Sequence, residues 1–413
     1  MTQSDRLGGT FARYWTAVAI SAFGTAITAV AMPVLVVQVL GASPVQVGIV
    51  TAAQILPYAV VGVFAGVIVD RMARRPVAIW ASVGRAVLLG LIPALWALQF
   101  LEIWTLAALL FLFGSFSVFG FAATQSLLPA LVPRSRLLRA NARLDQADAA
   151  AQTAGPALGG ALVGILGAPL AIAVDAVSYL IDAIVLTFLR VREPPRERTG
   201  RRVWREVRDG LGWVYGHRTL RWLAASTHVW FFANALALTT FSIFALRTLE
   251  LTPGVYGLLF AASGVAAFAG AALAPRLGLR WGEGRTILTG RMLYPVAWSA
   301  VALVPDTISF ASVLVIGAAL VVHGFAGGIE NSNEMAYRQV VTPDAQLGRT
   351  NATMRSANRT VAAVGALTAG GLVTLLGPTS TLWLAVAVFA AAAAIAVLSP
   401  LRSARAEPSA GAG

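Results

Sequence analysis

The sequence predicts an all-α integral membrane protein whose twelve transmembrane helices form two six-helix halves related by a pseudo-two-fold axis. Hydrophobic residues make up 58% of the 413 residues and charged residues only 12%, against about 45–50% and about 25% in soluble domains. The apolar residues extend along the whole chain, and the two halves repeat in sequence. A water-soluble fold cannot bury so much apolar surface, so lipid is the main solvent of this chain.

Apolar runs long enough to cross about 30 Å of hydrocarbon predict the individual helices. Spans one to six are residues 11–38, 46–69, 76–98, 104–131, 142–166 and 169–190. Spans seven to twelve are residues 222–246, 254–279, 286–304, 309–337, 352–376 and 380–400. The predicted domains are a first half at 1–190, a cytoplasmic linker at 191–221, a second half at 222–400 and a tail at 401–413.

The linker has a helical pattern of its own. Its apolar residues recur at helical spacing, opposite a row of arginines, at Val203, Val207, Leu211 and Val214. One apolar face and one basic face predict an amphipathic helix lying on the membrane surface.

The arginines indicate the topology. No lysine occurs, the net charge is +13, and the arginines cluster before span one, in the linker, in the tail and in alternate connections between spans. The intervening connections are nearly free of basic residues, with Arg247 the one exception. The positive-inside rule therefore places both termini in the cytoplasm of a multi-pass plasma-membrane protein. The basic balance reflects topology, so nucleic acid is not an expected partner.

An internal repeat relates the two halves. Nine identities lie at a constant offset of 210 residues, among them Pro133 with Pro343 and Gly167 with Gly377. Arg85 in span three has a counterpart in span nine, Arg291, at a slightly different offset. Parallel repeats imply a pseudo-two-fold axis along the membrane normal, with a cavity where the halves meet.

The turn after span two carries a glycine followed by an Asp-Arg pair and two further arginines. It reads Gly66-Val-Ile-Val-Asp70-Arg71-Met-Ala-Arg74-Arg75, which resembles the signature between helices two and three of the major facilitator superfamily. Alanine stands where that family usually has the second glycine. Span five reads Gly155-Pro156-Ala-Leu-Gly159-Gly160, which is similar to a motif of the drug and siderophore exporters of the macrolide or enterobactin type.

This resemblance implies the major facilitator fold in a monomeric secondary transporter. The implied activity is export of a hydrophobic or amphipathic drug, antibiotic or siderophore by alternating access, with proton antiport. The resemblance also implies a conformational latch, in which Asp70 engages the start of helix eleven. The latch residues would be Gly66, Asp70, Arg71, Arg74, Arg75 and Asn351.

Ionisable residues within predicted spans are functional candidates, because charge at membrane depth is costly. Span five carries Asp145 and Asp148, and its repeat counterpart, span eleven, carries Arg355 and Arg359. They are candidates for gating or for proton exchange. Asp175 and Asp182 in span six share one helical face, and Arg85 is a possible partner within the same half.

Span ten presents Glu330 and Glu334, four residues apart and therefore on one helical face. Mutual repulsion favours protonation of one carboxyl group, which is what a proton-coupled carrier requires. The alternative is that both glutamates bond to Arg355 or Arg359 and never titrate. Related exporters often carry acids near positions 25 and 82, where this chain has Thr25 and Ser82. Proton coupling here would therefore use span five, six or ten.

A cavity for an amphipathic molecule should combine aromatic rings with a few polar groups. The spans that line the cavity in the resembling family supply such residues. His228 is also a candidate for proton handling. The candidates are Thr25, Gln38, Gln54, Tyr58, Ser117, Phe121, Gln152, His228, Phe231, Asn234, Tyr256 and Phe260.

Other classes of function have little support in the sequence. The chain has no cysteine and lacks a phosphate-binding loop of the Walker type or a metal-ligand motif, so we expect neither an enzyme nor a cofactor or metal site. The expected partners are a small-molecule substrate, protons and membrane lipids. Uptake or facilitated diffusion, lipid flipping and a non-transporting membrane sensor remain as alternatives.

Overall fold

The computed structural model describes residues 8–62, 68–69, 72–189, 191 and 203–403, and over these ranges its regular structure is helical, with no strand. The first half contains α1 Gly9–Val34, α2 Pro44–Val60, α3 Arg74–Ala97, α4 Ile103–Leu131, α5 Leu137–Leu166 and α6 Ala168–Phe188. A linker helix, Val203–Gly216, follows. The second half contains α7 Leu220–Ile243, α8 Pro253–Trp281, α9 Glu283–Ala302, α10 Phe310–Val341, α11 Asp344–Leu376 and α12 Pro378–Val397.

Ten helices in the described ranges are long and apolar enough to cross a membrane. Of the other two long helices, α2 is described as a helix of 17 residues, and α9 is more polar because it carries Arg285 and Arg291. Two helices begin earlier than predicted, α5 at Leu137 instead of residue 142 and α11 at Asp344 instead of residue 352. Their first turns are polar, so hydropathy marks where the apolar run begins and not where the helix begins.

The packing of the helices repeats between the halves. Helix α1 packs on α5 and α6, and α3 packs on α4 and α6. In the second half α7 packs on α11 and α12, and α9 packs on α10 and α12. The halves meet mainly where α2 packs on α11 and α5 packs on α8, which are equivalent pairs under the same symmetry. The predicted two-fold relation is therefore present in the packing.

We call the side of the bundle that carries the linker helix and the start of α1 the linker face, and the other side the opposite face. Two turns on the opposite face use the left-handed conformation that favours glycine. Gly167 between α5 and α6 has a φ of 82°, and its repeat counterpart Gly377 between α11 and α12 has a φ of 79°. The sequence repeat thus preserves a glycine with positive φ at two equivalent connections.

Close packing between the halves depends on glycine at two equivalent places. A Cβ on Gly160 of α5 would lie 2.5 Å from the carbonyl oxygen of Pro253 at the start of α8. A Cβ on Gly370 of α11 would lie 2.5 Å from the carbonyl oxygen of Pro44 at the start of α2. Neither position has room for a side chain, so the backbones of the two halves touch directly there.

The linker helix packs on α11 and α7. Asp209 lies 3.4 Å from Arg349 near the start of α11, and Val214 packs against Ala224 and Met354. A Cβ on Gly210 would approach the side chain of Thr353. A helix is therefore present in the linker, and Val214 on it contacts the second half. Its position on the membrane surface stays a prediction.

His217, which lies between the linker helix and α7, caps the start of α7. Its Nδ1 accepts hydrogen bonds from the backbone N–H groups of Thr219 at 3.4 Å and Leu220 at 3.3 Å. Burial lowers the pKa of His217, so the folded protein favours the neutral ring, the form that can accept at Nδ1.

We expect this cap to make the stability of the protein depend on pH. Its contribution, of about 1 kcal/mol for a helix cap, should be complete above the unfolded pKa of about 6.5 and lost as the pH falls through the lower folded pKa. His217→Asn keeps a capping oxygen that does not titrate. Thermal unfolding in detergent at pH 7.5 and pH 5.5 should therefore show a smaller difference for this variant than for the wild type. An unchanged difference would contradict the capping role.

Candidate functional site

A reciprocal pair of hydrogen bonds joins the halves at the opposite face. Gln38, at the end of α1, donates from Nε2 to the carbonyl oxygens of Leu246 at 3.1 Å and Leu251 at 3.2 Å. Arg247, at the end of α7, donates to the carbonyl oxygen of Ala42. Both donors lie in π-helical turns at equivalent places in the two halves. We call this arrangement the clasp, and it accounts for the one arginine that departs from the predicted charge pattern.

Loss of the clasp should open the opposite face. A hydrogen bond from a charged donor contributes about 1.5–3 kcal/mol, so Arg247→Gln should raise the open population roughly tenfold to a hundredfold. The chain has no cysteine, so Leu251→Cys introduces a single thiol at a buried position beside the clasp. Maleimide labelling of the detergent-solubilised protein should accelerate accordingly when Arg247 is replaced.

The control for this experiment is Arg280→Gln, which removes the same charge at the end of α8 on the linker face. It should leave the labelling rate of the introduced thiol unchanged. Equal acceleration by both substitutions, or by neither, would exclude a specific role of the clasp.

The arginines of α11 lie between the halves. The guanidinium carbon of Arg355 is 4.1 Å from the ring centre of Phe121 on α4, and that of Arg359 is 5.5 Å from the ring centre of Tyr58 on α2. Both arginines are exposed although they lie well inside a long helix. Because α4 and α2 belong to the first half, the two ring contacts join the halves. The exposure of both arginines beside these contacts indicates a solvent-accessible space between the halves, which we call the central cavity.

The glutamates of α10 bond to a different arginine. The nearest guanidinium nitrogen of Arg291, on α9, lies 2.8 Å from Glu330 Oε1 and 3.3 Å from Glu334 Oε2. All three are nearly inaccessible, with exposed fractions of 1%, 5% and 8% for Arg291, Glu330 and Glu334. The alternative that these glutamates bond to Arg355 or Arg359 is therefore wrong, because those arginines face the other half.

The two carboxylates share Arg291 but differ in their other partners. Glu334 has a second partner, Arg338, at 3.7 Å, and it accepts a hydrogen bond from Thr227 at 3.1 Å. Glu330 has an Oε2 with no hydrogen-bond partner among the described residues. Glu330 thus has fewer charged partners than Glu334, and it shares its one cation with Glu334.

Aromatic residues extend this cluster toward the opposite face. Tyr294 on α9 interacts with the Glu330 carboxyl, and its ring centre is 5.1 Å from that of His323. Trp298 donates to His323 Nδ1 at 3.1 Å. His323 was not predicted from the sequence to be part of this cluster. It lies seven residues, or two helical turns, before Glu330 on α10, and this spacing places both residues on one helical face.

The first half contains a comparable buried network around Arg85. Arg85 donates to Ser82 at 2.9 Å and lies 4.0 Å from Asp182 on α6. Its guanidinium lies over the ring of Tyr179, whose hydroxyl hydrogen-bonds Thr25 at 2.9 Å. The pairing of Arg85 with Asp182 within one half is as predicted, and Thr25 connects this network to α1.

Asp175 is a buried acid whose hydrogen-bond donors are hydroxyl groups. Thr28 donates to it at 2.8 Å and Ser178 at 3.0 Å, and Asp175 forms no ion pair with any of the described residues. A Cβ on Gly24 would lie 2.5 Å from its Oδ1. Glycine at that position therefore makes room for the carboxylate between α1 and α6.

The predicted cavity residues fall into different environments. Asp145, Asp148 and Gln152 are exposed along α5, whereas Gln54, Ser117, Phe231 and Asn234 are partly buried. Asn234 Oδ1 is buried and has no hydrogen-bond partner among the described residues. The candidates Tyr256 and Phe260 pack against each other and against Phe241, and Tyr256 is only 2% exposed.

His228 connects three elements. Its Nδ1 is 2.6 Å from Asn358 Oδ1 on α11, and its Nε2 is 2.8 Å from the hydroxyl of Tyr215 in the linker helix. Both ring nitrogens are therefore engaged. This side chain joins α7 to the linker helix and to α11, and a role in proton handling stays a prediction.

Only part of the predicted latch is described. Gly66, Asp70 and Arg71 lie outside the described residues. Arg74 donates to the carbonyl oxygen of Ser126 and Arg75 to that of Leu186, each at 2.8 Å. These two arginines thus bond to backbone carbonyl groups near the C-terminal ends of α4 and α6, on the linker face. The C-terminal end of a helix carries a partial negative charge, which favours a cation there. Asn351 lies in the second turn of α11.

A groove of about 700 Å³ lies between α8, α9 and α10. Its walls are apolar, at Ala262, Val265, Ala266, Ala269, Leu293, Val321, Val322 and Phe325. It offers no polar side chain to orient a solute, in contrast to the central cavity. No group of three potential metal ligands occurs among the residues that the structure describes.

Comparisons with known proteins agree with this architecture. The sequence model of a family described as transmembrane secretion effector matches residues 7–412. The uncharacterised MFS-type transporter y4rN of Sinorhizobium fredii is 30% identical over 361 residues, which cover 86% of each chain. The multidrug efflux pump Tap of Mycolicibacterium fortuitum is 29% identical over 209 residues, 49% of this chain and 51% of that protein.

Solved structures share the fold. The nucleoside transporter NupG has a TM-score of 0.75 at 9% identity, covering 95% of this chain and 99% of that one. A bacterial homologue of the iron transporter ferroportin in an inward-facing state has a TM-score of 0.71 at 16% identity, covering 96% and 99%. The predicted fold class is thereby confirmed, and the similar proteins are transporters, not enzymes.

Proposed function

The chain belongs to the transmembrane secretion effector family of major facilitator transporters, and on that premise we propose that it exports a hydrophobic or amphipathic small molecule by alternating access with proton antiport. The observation that carries the proposal is the central cavity between two symmetric halves, closed at the opposite face by the clasp. A cavity closed on one side by weak, reversible contacts is suited to alternating access.

The cluster around Arg291 supports proton antiport. Glu330 is buried beside a cation that it shares with Glu334, and its second oxygen has no partner among the described residues. A carboxyl group in this setting can take up a proton without leaving a bare charge behind. A change in its surroundings when the halves rock would release that proton, which is the requirement for antiport.

Export is favoured by the family description and by the similarity to Tap, a multidrug efflux pump. The arginine pattern supports the same orientation, with the linker face in the cytoplasm and the clasp toward the outside. Substrates would then enter the cavity from the cytoplasmic side or from the inner leaflet. Drugs, antibiotics and siderophores are the classes to screen.

The proposal can be tested in inverted membrane vesicles with an imposed pH gradient. A panel of fluorescent amphiphiles should include anionic, neutral and cationic members, each measured with and without the gradient. We expect gradient-dependent accumulation inside the vesicles of at least one compound, and its loss on addition of a protonophore. Vesicles from cells that lack the protein are the control.

Other outcomes would identify the alternatives. Flux that equilibrates but ignores every gradient would indicate facilitated diffusion, and accumulation in right-side-out vesicles would indicate uptake. Movement of labelled phospholipid between leaflets in proteoliposomes would indicate a flippase. The absence of all flux, with the fold intact, would favour a membrane sensor.

A further inference from the structure

Two cationic side chains lie near the middle of α11, in the space between the halves. Arg359 is the sixteenth residue of this helix of 33 residues, about 22 Å along its axis at about 1.5 Å per residue. Arg355 is one turn closer to the linker face. A charge at this depth is costly unless it faces water or a partner, so both arginines indicate a water-filled and charged wall of the cavity.

No described acid pairs with the two arginines of this wall. Within the described part of the chain, none of the ion pairs involves Arg355 or Arg359. The ionisable groups that act on Arg355 are Tyr58 and two further arginines, Arg359 and Arg338. Arg85 and Arg291, also at membrane depth, are each paired within their own half, whereas the described residues provide no acid that pairs with the two arginines of α11.

Aromatic rings of the first half hold the two guanidinium groups. Phe121 lies under Arg355 and Tyr58 under Arg359. A ring beneath a guanidinium group occupies its face and leaves the N–H donors at its edge available. The rings also provide apolar surface next to the donors, since Phe121 is 40% exposed. The combination offers one place for an anionic group and another for an apolar body.

The acids of the cavity stand on the other wall. Asp145 and Asp148 are exposed on α5, and Asp148 interacts with Asp145 and Gln152. Asp145 and Arg355 are repeat counterparts at the offset of 210 residues. The two walls therefore carry opposite charges at equivalent depths. An anion is attracted to α11 and repelled by α5, which determines the wall to which it binds.

We propose that Arg355 and Arg359 bind the anionic group of the transported molecule, so that the substrate class is an amphipathic organic anion with a carboxylate, sulfonate or phosphate group. The apolar part of the molecule lies against Phe121 and Tyr58. This inference rests on the proposed transport function, because it identifies the substrate class for the same cavity. It adds a requirement for negative charge that a cavity for neutral drugs does not have.

Equilibrium binding of two matched fluorescent probes tests the inference. Anilinonaphthalene sulfonate is an amphipathic anion, and phenylnaphthylamine has the same rings without the sulfonate. Both are titrated onto purified protein in nanodiscs of phosphatidylcholine. Combining Arg355→Gln with Arg359→Gln should weaken binding of the sulfonate at least about tenfold, since two charge-assisted hydrogen bonds are lost. Binding of the neutral probe should change less than about twofold, because the rings remain.

Two control variants separate charge from shape and location. Lysine at both positions keeps the cations and should retain sulfonate affinity within about fivefold. Arg280→Gln removes one exposed cation from the linker face and should leave both probes unchanged. The thermal unfolding of every variant is measured, and the lysine variant supplies the comparison if the glutamine variant does not fold.

Several results would overturn the inference. The first is an equal loss of affinity for both probes, and the second is no loss of affinity for either. The third is weaker sulfonate binding after Asp145→Asn and Asp148→Asn, because removing these acids should leave sulfonate binding unchanged or make it tighter. Binding requires no gradient, so this test is independent of transport. Charge-selective binding without flux of any panel compound would support the site and contradict the export function. Flux of neutral compounds that ignores the arginine variants would support export and overturn the substrate class.

Discussion

Glu330→Gln will reduce gradient-driven accumulation in inverted vesicles to below about one-tenth of the wild-type level, the size expected when a required proton-transferring group is removed. Glutamine is nearly isosteric and still accepts a hydrogen bond from Arg291, but it cannot exchange a proton. Exchange of labelled for unlabelled substrate across the membrane requires no net proton movement. We therefore expect that exchange to persist in the variant while accumulation disappears.

Glu334→Gln provides the matched comparison on the same helical face. It leaves the 2.8 Å contact between Arg291 and Glu330 in place, so accumulation should fall by less than about fivefold. Arg291 keeps its contact with Glu334 at 3.3 Å in Glu330→Gln, so this variant leaves no unpaired buried charge and should fold. Arg291→Gln combined with Glu330→Gln removes both charges and should fold without accumulating substrate. Full accumulation by either variant would exclude Glu330 as the coupling group.

Gly370→Ala should disrupt the contact between the two halves. The new methyl group would lie 2.5 Å from the carbonyl oxygen of Pro44 and 2.8 Å from the Cα of Val45, both of which belong to the backbone of α2. Helices α11 and α2 would have to separate, and overpacking of this kind costs about 1–3 kcal/mol. We expect transport below about one-tenth of wild type and a lower unfolding temperature, measured by scanning fluorimetry in detergent.

The neighbouring glycine is the control for that prediction. A Cβ on Gly371 meets no atom within 4 Å, so Gly371→Ala should change transport by less than about twofold and should not lower the unfolding temperature. Gly160→Ala, at the equivalent contact between α5 and α8, should behave like Gly370→Ala. If the two adjacent substitutions in α11 have equal effects, the helix contact is not what makes Gly370 necessary.

The sequence alone predicts the number of helices and their symmetry. Apolar runs identify a membrane helix because the bilayer demands a fixed length. The repeat is visible because glycines such as Gly160 and Gly370 admit no other residue at the backbone contacts they form. Helix ends are less well predicted at α5 and α11, since their polar first turns continue the helix beyond the apolar run.

The partners of individual side chains could not be read from the sequence. Glu330 bonds to Arg291 and not to the arginines of α11, because the rotation of each helix about its axis decides which face meets which neighbour. Gln38 was predicted to line the cavity, yet it spans two carbonyl groups of the other half. Arg247 was visible as an exception to the charge pattern, but its partner depends on tertiary structure.

The distribution of strong and weak contacts sets the energy needed to switch between states. The buried pairs of Arg85 with Asp182 and of Arg291 with Glu330 each lie within one half. The contacts named between the halves are hydrogen bonds to backbone oxygen, ring contacts of two arginines, and touching glycines. Each half can therefore move as a rigid body without exposing a buried ion pair to lipid. We therefore expect a small free-energy difference between the two states, which the proposed proton antiport requires.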